Sequence, residues 1–293
     1  MNVSWWCSGG SGQPWEWRYT PFVGVWLLLG TLAALYVLAH RIEVGGRSHA
    51  LDRRRTTYLV LGLLTLAVAS EWPLGQLGAG YSATVAMLRV ILYSMVAAPL
   101  LLSSIPPWLL RHLIRPKPVF VVAKALTRWP VAFLVFNATV VIVNTPLAVD
   151  TFKVTQLGSF TLDIALLLAS LVLWYPVFGQ LEELPRLGDP ARAAYVLAQS
   201  IIPTGPASFL TFSRFPLFRV YELAPPFFAG FDPLSDQQVA GIMMKVVAGF
   251  GLIAYAAVLF FNWVRDERED TTSVSSDEVR RGLDDLERWR GTL

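Results

Sequence analysis

Apolar residues run in blocks along the chain, at 20–40, 57–74, 83–103, 129–149, 157–179, 194–211 and 237–264. Each block approaches the roughly 20 residues that a helix needs to cross the hydrocarbon core of a bilayer. In lipid every backbone polar group must be satisfied internally, and a helix does this within one segment. The pattern predicts an all-α, polytopic membrane protein with seven transmembrane helices in one domain over residues 20–264. A short outer segment, 1–19, precedes that domain, and a tail, 265–293, follows it. The second block is short. The sixth contains Pro203 and Pro206, which remove backbone donors and predict a kink.

The connections between blocks carry unequal charge. The first holds Arg41, Arg47, Arg53, Arg54 and Arg55, and the third holds Arg111, Arg115, Lys117, Lys124 and Arg128. The fifth holds Arg186 and Arg192, and the tail brings the total on that side to eighteen. The opposite side has only Arg18, Lys153, Arg214 and Arg219. Cytoplasmic loops collect lysine and arginine, so the alternation predicts the N-terminus outside and the C-terminus inside. Within the third connection, 108–114 and 119–126 read either as short interfacial helices with cationic edges or as a structured loop. In the tail, Ser275 and Glu278 fit a capping box before a short amphipathic helix.

Composition narrows the chemistry. Only 15% of residues are charged, against about 25% in a soluble domain. Cys7 is the single cysteine, so neither an internal disulfide nor a cysteine-built metal centre is available. The three histidines, His40, His49 and His112, all fall on the predicted cytoplasmic side. No positive region precedes the first apolar block, so the start does not read as a cleaved signal peptide. Trp5, Trp6, Trp15 and Trp17 suit the membrane interface. No phosphate-cradling loop, nucleophile elbow or metalloprotease signature is present, and the basic residues are orientation signals that do not imply nucleic acid. The chain does not read as an enzyme.

Charged residues inside the blocks stand apart: Arg89, Asp163 and Lys245. A charge at mid-membrane costs roughly 2.5–3.5 kcal/mol on insertion scales, so such residues face the protein interior and pair. All three lie in the outer half of their spans. The expectation is that Asp163 pairs with Arg89, with Lys245, or with both. Met87, Met95, Met243 and Met244 read as packing residues, with thioether binding of Cu(I) as the sharper alternative.

The last third of the chain reads Leu210-Thr-Phe-Ser-Arg-Phe-Pro-Leu-Phe and then Asp232-Pro-Leu-Ser-Asp-Gln-Gln-Val-Ala-Gly-Ile-Met-Met. This resembles the signature of the CtaG family of bacterial cytochrome c oxidase assembly factors, carried here by Pro233, Asp236, Gln237, Gln238 and Gly241. Met95-Val-Ala-Ala-Pro-Leu-Leu-Leu and Trp174-Tyr-Pro-Val-Phe-Gly are similar to segments of the family's third and fifth spans. The resemblance implies a role in maturing haem–copper oxidases in the bacterial cytoplasmic (inner) membrane. It also implies histidine pairs for copper in the outer halves of the spans. Those positions fall here on Ala86, Val90, Asn144, Ser159 and Asp163.

The reading is therefore an accessory or assembly protein for a haem–copper oxidase, without the family's copper site, and without a cofactor or metal of its own. Its partners are membrane lipids and oxidase subunits. The alternative is a structural subunit of a larger respiratory or photosynthetic membrane complex.

Overall fold

The computed structural model describes residues 4–9, 12–41 and 52–268. The capping box at Ser275 and Glu278, the tail helix and His49 lie outside those residues. Helices and their connections make up the described chain. Helix α1 is Val23–Arg41, α2 is Arg53–Ser70 and α3 is Leu74–Gly80. Helix α4 is Ala83–Ser104. Two short helices follow, α5 (Pro107–Leu113) and α6 (Lys117–Leu126), then α7 (Trp129–Val143) and α8 (Pro146–Phe152). Helix α9 is Gln156–Phe178, α10 is Asp189–Gln199, α11 is Thr204–Phe212 and α12 is Arg219–Glu222. The last, α13, is Pro233–Arg268.

Four of these helices, α1, α4, α9 and α13, are long and apolar enough to cross a membrane, and the count reaches six if two bent pairs are each one span. The pairs are α2 with α3, bent by 48°, and α6 with α7, bent by 79°. The blocks at 129–149 and 194–211 are not continuous helices. Asn144 and Thr145 interrupt the first before Pro146. A turn at 200–203, ending in Pro203, divides the second into α10 and α11. In both places proline lacks the donor that a continuing helix requires.

Helices α4 and α9 pack together at the centre, with α2 and α13 against α4 and α7 against α9. Their contact has a specific lock. The helix α4 widens to a π-turn over Leu92–Ala97, where the Ala98 amide bonds to the Tyr93 carbonyl. The next carbonyl, Ser94, would in that register meet Pro99, which has no N–H. It accepts instead from the Trp174 indole of α9 at 2.6 Å. A second polar lock joins α7 to α10, where the buried Asn137 and Gln199 amides exchange hydrogen bonds at 2.9 and 3.1 Å. The outward faces of α1 and α13 expose Trp26, Leu27, Phe250 and Phe261. Large exposed apolar area of this kind suits contact with lipid.

Candidate functional site

At the end of the bundle where α4, α9 and α13 begin, the N-terminal segment folds into the helices. Gly24 donates to the Trp5 carbonyl at 2.7 Å, Gly9 to the Lys153 carbonyl at 2.7 Å, and the Gln76 amide to the Ser8 carbonyl at 3.2 Å. Trp6 and Cys7 have no exposed surface. Trp6 is therefore a core residue against Phe160 (5.0 Å, edge-on), whereas Trp17 is exposed. Trp15 stacks on Trp72 at 6.1 Å.

The insertion delivers Trp6 to a buried ion pair. Arg89 Nη2 lies 2.7 Å from Asp163 Oδ2, and the Trp6 indole donates to the same oxygen at 3.0 Å. Arg89 Nε donates to the Ala69 carbonyl at the end of α2, at 2.7 Å. The pair thus ties together α2, α4, α9 and the N-terminal segment. Gly78 of α3 lets Arg89 pass: a Cβ there would stand 2.6 Å from Arg89 Cδ and 3.1 Å from the Ala86 backbone. Lys245 takes no part. It is exposed on the π-turn Met244–Ala248, between the buried Met244 and Ala248. That turn leaves its side chain on the outward face, where a long stem can carry the charge toward the interface.

The second cation of the site is Lys153, which sequence reasoning assigns to a loop. It is only 6% exposed. Its Nζ donates to Tyr221 Oη at 3.1 Å, and Tyr221 donates in turn to the Gly78 carbonyl at 2.9 Å. Burial, reinforced by the Arg89 charge, pushes the Lys153 ammonium down to about 8. Burial pushes the Cys7 thiol up to about 11, despite the nearby Arg89. Such a thiol is protonated and unreactive at neutral pH. Nothing in the local sequence marks Lys153 or Cys7. The partners of each lie many residues away along the chain.

A cavity of about 20 Å³ opens beside the ion pair, with Ala86, Arg89, Val90, Asn144, Lys153 and Asp163 in its wall. Ala86, Val90, Asn144 and Asp163, read from sequence as matching the relatives' ligand positions, thus share one space. Ser159, one turn before Asp163, is fully buried beside the Cys7 thiol. The donors do not suit copper. Asp163 is bonded to Arg89 and Trp6, Asn144 Nδ2 donates to the Val140 carbonyl at 2.8 Å, and the one thiol is held neutral. Among the described residues, no three of His, Cys, Asp and Glu come close enough together to hold a metal. His40 bonds the Tyr36 carbonyl and packs on Trp108, and His112 is exposed. Met87, Met95 and Met244 line a separate apolar cavity of about 40 Å³ with Phe136, Leu173 and Trp174.

The Asp-Gln-Gln segment has a mechanical place at the same end. Asp236 accepts from Ser82 Oγ at 2.8 Å, from the Ala83 amide at 2.6 Å and from the Thr84 amide at 3.3 Å. A carboxylate from α13 thereby caps α4 at the end where its dipole favours negative charge. The buried Gln237 accepts from the Leu217 amide at 2.6 Å, and Gln238 donates to the Ser213 carbonyl at 3.2 Å. Gly241 faces α11, where a Cβ would stand 2.7 Å from the Ala207 carbonyl oxygen. Pro233 occupies the first turn of α13, whose N-cap is Asp232.

The model of the cytochrome c oxidase caa3 assembly factor family (Caa3_CtaG) matches residues 32–266. The chain belongs to this family. Comparison with curated proteins and with solved structures gives no match. The match takes in α2 through α12 whole, nearly all of α13, and both halves of the ion pair. Trp6 and Cys7 lie before it.

Proposed function

We propose that the protein is an accessory factor in the maturation of a haem–copper oxidase, and that it works by protein–protein contact without a copper site at Asp163. One observation carries this reading. In a chain of the oxidase assembly family, Asp163 closes an ion pair with Arg89, and Ala86, Val90 and Asn144 line a small cavity beside it. The pair fixes helix positions and offers no free donor set. We assign no catalytic step to it.

The same reading places seven spans in the bacterial inner membrane, with the N-terminus outside and the C-terminus inside. Two features support it. The charged connections alternate without a break. Helices α10 and α11 run from Tyr195, bonded to the Leu173 carbonyl near the end of α9, to Leu210, whose carbonyl accepts from Gln237 near the start of α13. The 79° bend lays α6 across α7. This suits an interfacial helix on the inner leaflet, with Lys117 and Lys124 toward the headgroups. Residues 1–19, 20–264 and 265–293 act as outer segment, membrane domain and cytoplasmic tail, with the outer segment closing the bundle.

The test is to purify the tagged protein from its native membrane in mild detergent and identify co-purifying chains by quantitative mass spectrometry. Oxidase subunits in small, non-stoichiometric amounts are expected. A fixed stoichiometric assembly with many other subunits would instead make it a resident structural subunit.

A further inference from the structure

The buried charges beside the cavity do not balance. Among the described residues, Asp163 is the carboxylate that acts on both Arg89 and Lys153, Asp150 and Asp236 act on Tyr221 from farther round, and the other titratable neighbours, Cys7, Tyr93 and Tyr221, are neutral thiol and hydroxyl groups at neutral pH. Asp163 Oδ2 is turned to Arg89 and Trp6. This leaves the Lys153 ammonium as the surplus charge, 6% exposed. An ammonium has three donors, and Tyr221 Oη takes one of them. An uncompensated buried charge is far less favourable than a paired one.

We propose that the cavity walled by Arg89, Lys153 and Asn144 binds one small monovalent anion, chloride in the cell. Its volume of about 20 Å³ holds one water-sized guest, and a chloride ion is close to that size. Lys153 supplies spare N–H donors. Asn144 has a second amide hydrogen beyond the one given to the Val140 carbonyl. Ala86 and Val90 give the apolar wall and leave the room. The Asp163 carboxylate also borders the cavity. Its repulsion is countered by Arg89, so the site carries one net positive charge before the anion enters. The inference rests on charge and geometry and is independent of the oxidase role.

The test uses the full chain in detergent at neutral pH and constant ionic strength. Uptake of radiolabelled chloride is measured by equilibrium dialysis. Thermal unfolding is followed in chloride, bromide and gluconate. The expected result is saturable uptake of one chloride per chain, competed by bromide, with a higher unfolding midpoint in either halide than in gluconate. Lys153→Gln removes the surplus charge and should abolish both effects. Ala86→Val keeps Lys153 but fills the cavity, and should abolish uptake as well. No saturable uptake by the unmodified protein would overturn the proposal, whatever the variants do. Uptake that persists unchanged in both variants would also overturn it, since the anion would then sit elsewhere.

Discussion

Asp163 places two donors on one oxygen, the Arg89 guanidinium and the Trp6 indole. Its loss and the loss of Arg89 are therefore not equivalent. Asp163→Asn leaves Arg89 and Lys153 facing each other with no carboxylate between them. Breaking a buried pair costs about 3–5 kcal/mol, and this variant should fall in that range. Arg89→Gln leaves Asp163 with Lys153 as a substitute cation and should cost less. The double variant should cost less than the two singles added, because both remove the same contact. Unfolding titrations of the three proteins in one detergent check the order. Lys153 adds a pH signature. Its ammonium is pushed down to about 8 in the folded chain, from an ordinary value of 10.5. Above pH 8 the native state loses a proton that the unfolded chain keeps, so stability rises with pH. Cys7 acts oppositely. Its thiol is raised from 9.0 to about 11, so stability is lost once the pH passes 9. In chloride-free buffer, unfolding free energy should therefore climb by about 1 kcal/mol between pH 8 and 9. Lys153→Gln should flatten that rise.

The helices show which signals a sequence can carry. The long apolar blocks of α4, α9 and α13 were readable because lipid permits nothing else over such a length. The break at 200–203 was readable in part from Pro203 and Pro206. The π-turn in α4 was not, because Trp174, which takes up the Ser94 carbonyl beside Pro99, comes from another helix. Arg89 and Asp163 stood out as charges in apolar blocks. Lys153 did not, since a lysine in a connection looks solvated until the N-terminal segment and Tyr221 cover it. Trp6 and Cys7 were masked in the same way. Lys245 looked internal because the sequence does not show which face of α13 it takes. The Asp-Gln-Gln segment was legible as a family mark and silent about its work, which is to cap α4 from α13. Asp236→Asn keeps the shape and removes the charge that three donors share. Charge-assisted hydrogen bonds contribute about 1.5–3 kcal/mol, so this variant should lose stability in that range, with early proteolysis at the start of α4. Limited digestion followed by mass mapping would locate the cut.

At the scale of the molecule, the bundle presents apolar faces outward and closes its polar residues into locks at different depths. These are the Arg89–Asp163 pair, the Asn137–Gln199 exchange, and Arg55 bridging the Ile105 carbonyl and Gln180 at the far end. The proposed orientation is open to a direct check, because Cys7 is buried and gives a silent background. Cysteine introduced by Ala229→Cys should react with an impermeant maleimide on intact cells. Cysteine introduced by Gly188→Cys should react only after permeabilisation. The reverse pattern would invert the topology. We propose that this member of an oxidase assembly family holds a structural ion pair, Arg89 with Asp163, in place of a copper site. The most direct test is the copper content of the protein purified from native membranes, with and without added Cu(I), alongside the Asp163→Asn variant. Copper far below one per chain is expected in both, unchanged by the substitution. One tightly held copper per chain that disappears in Asp163→Asn would contradict it.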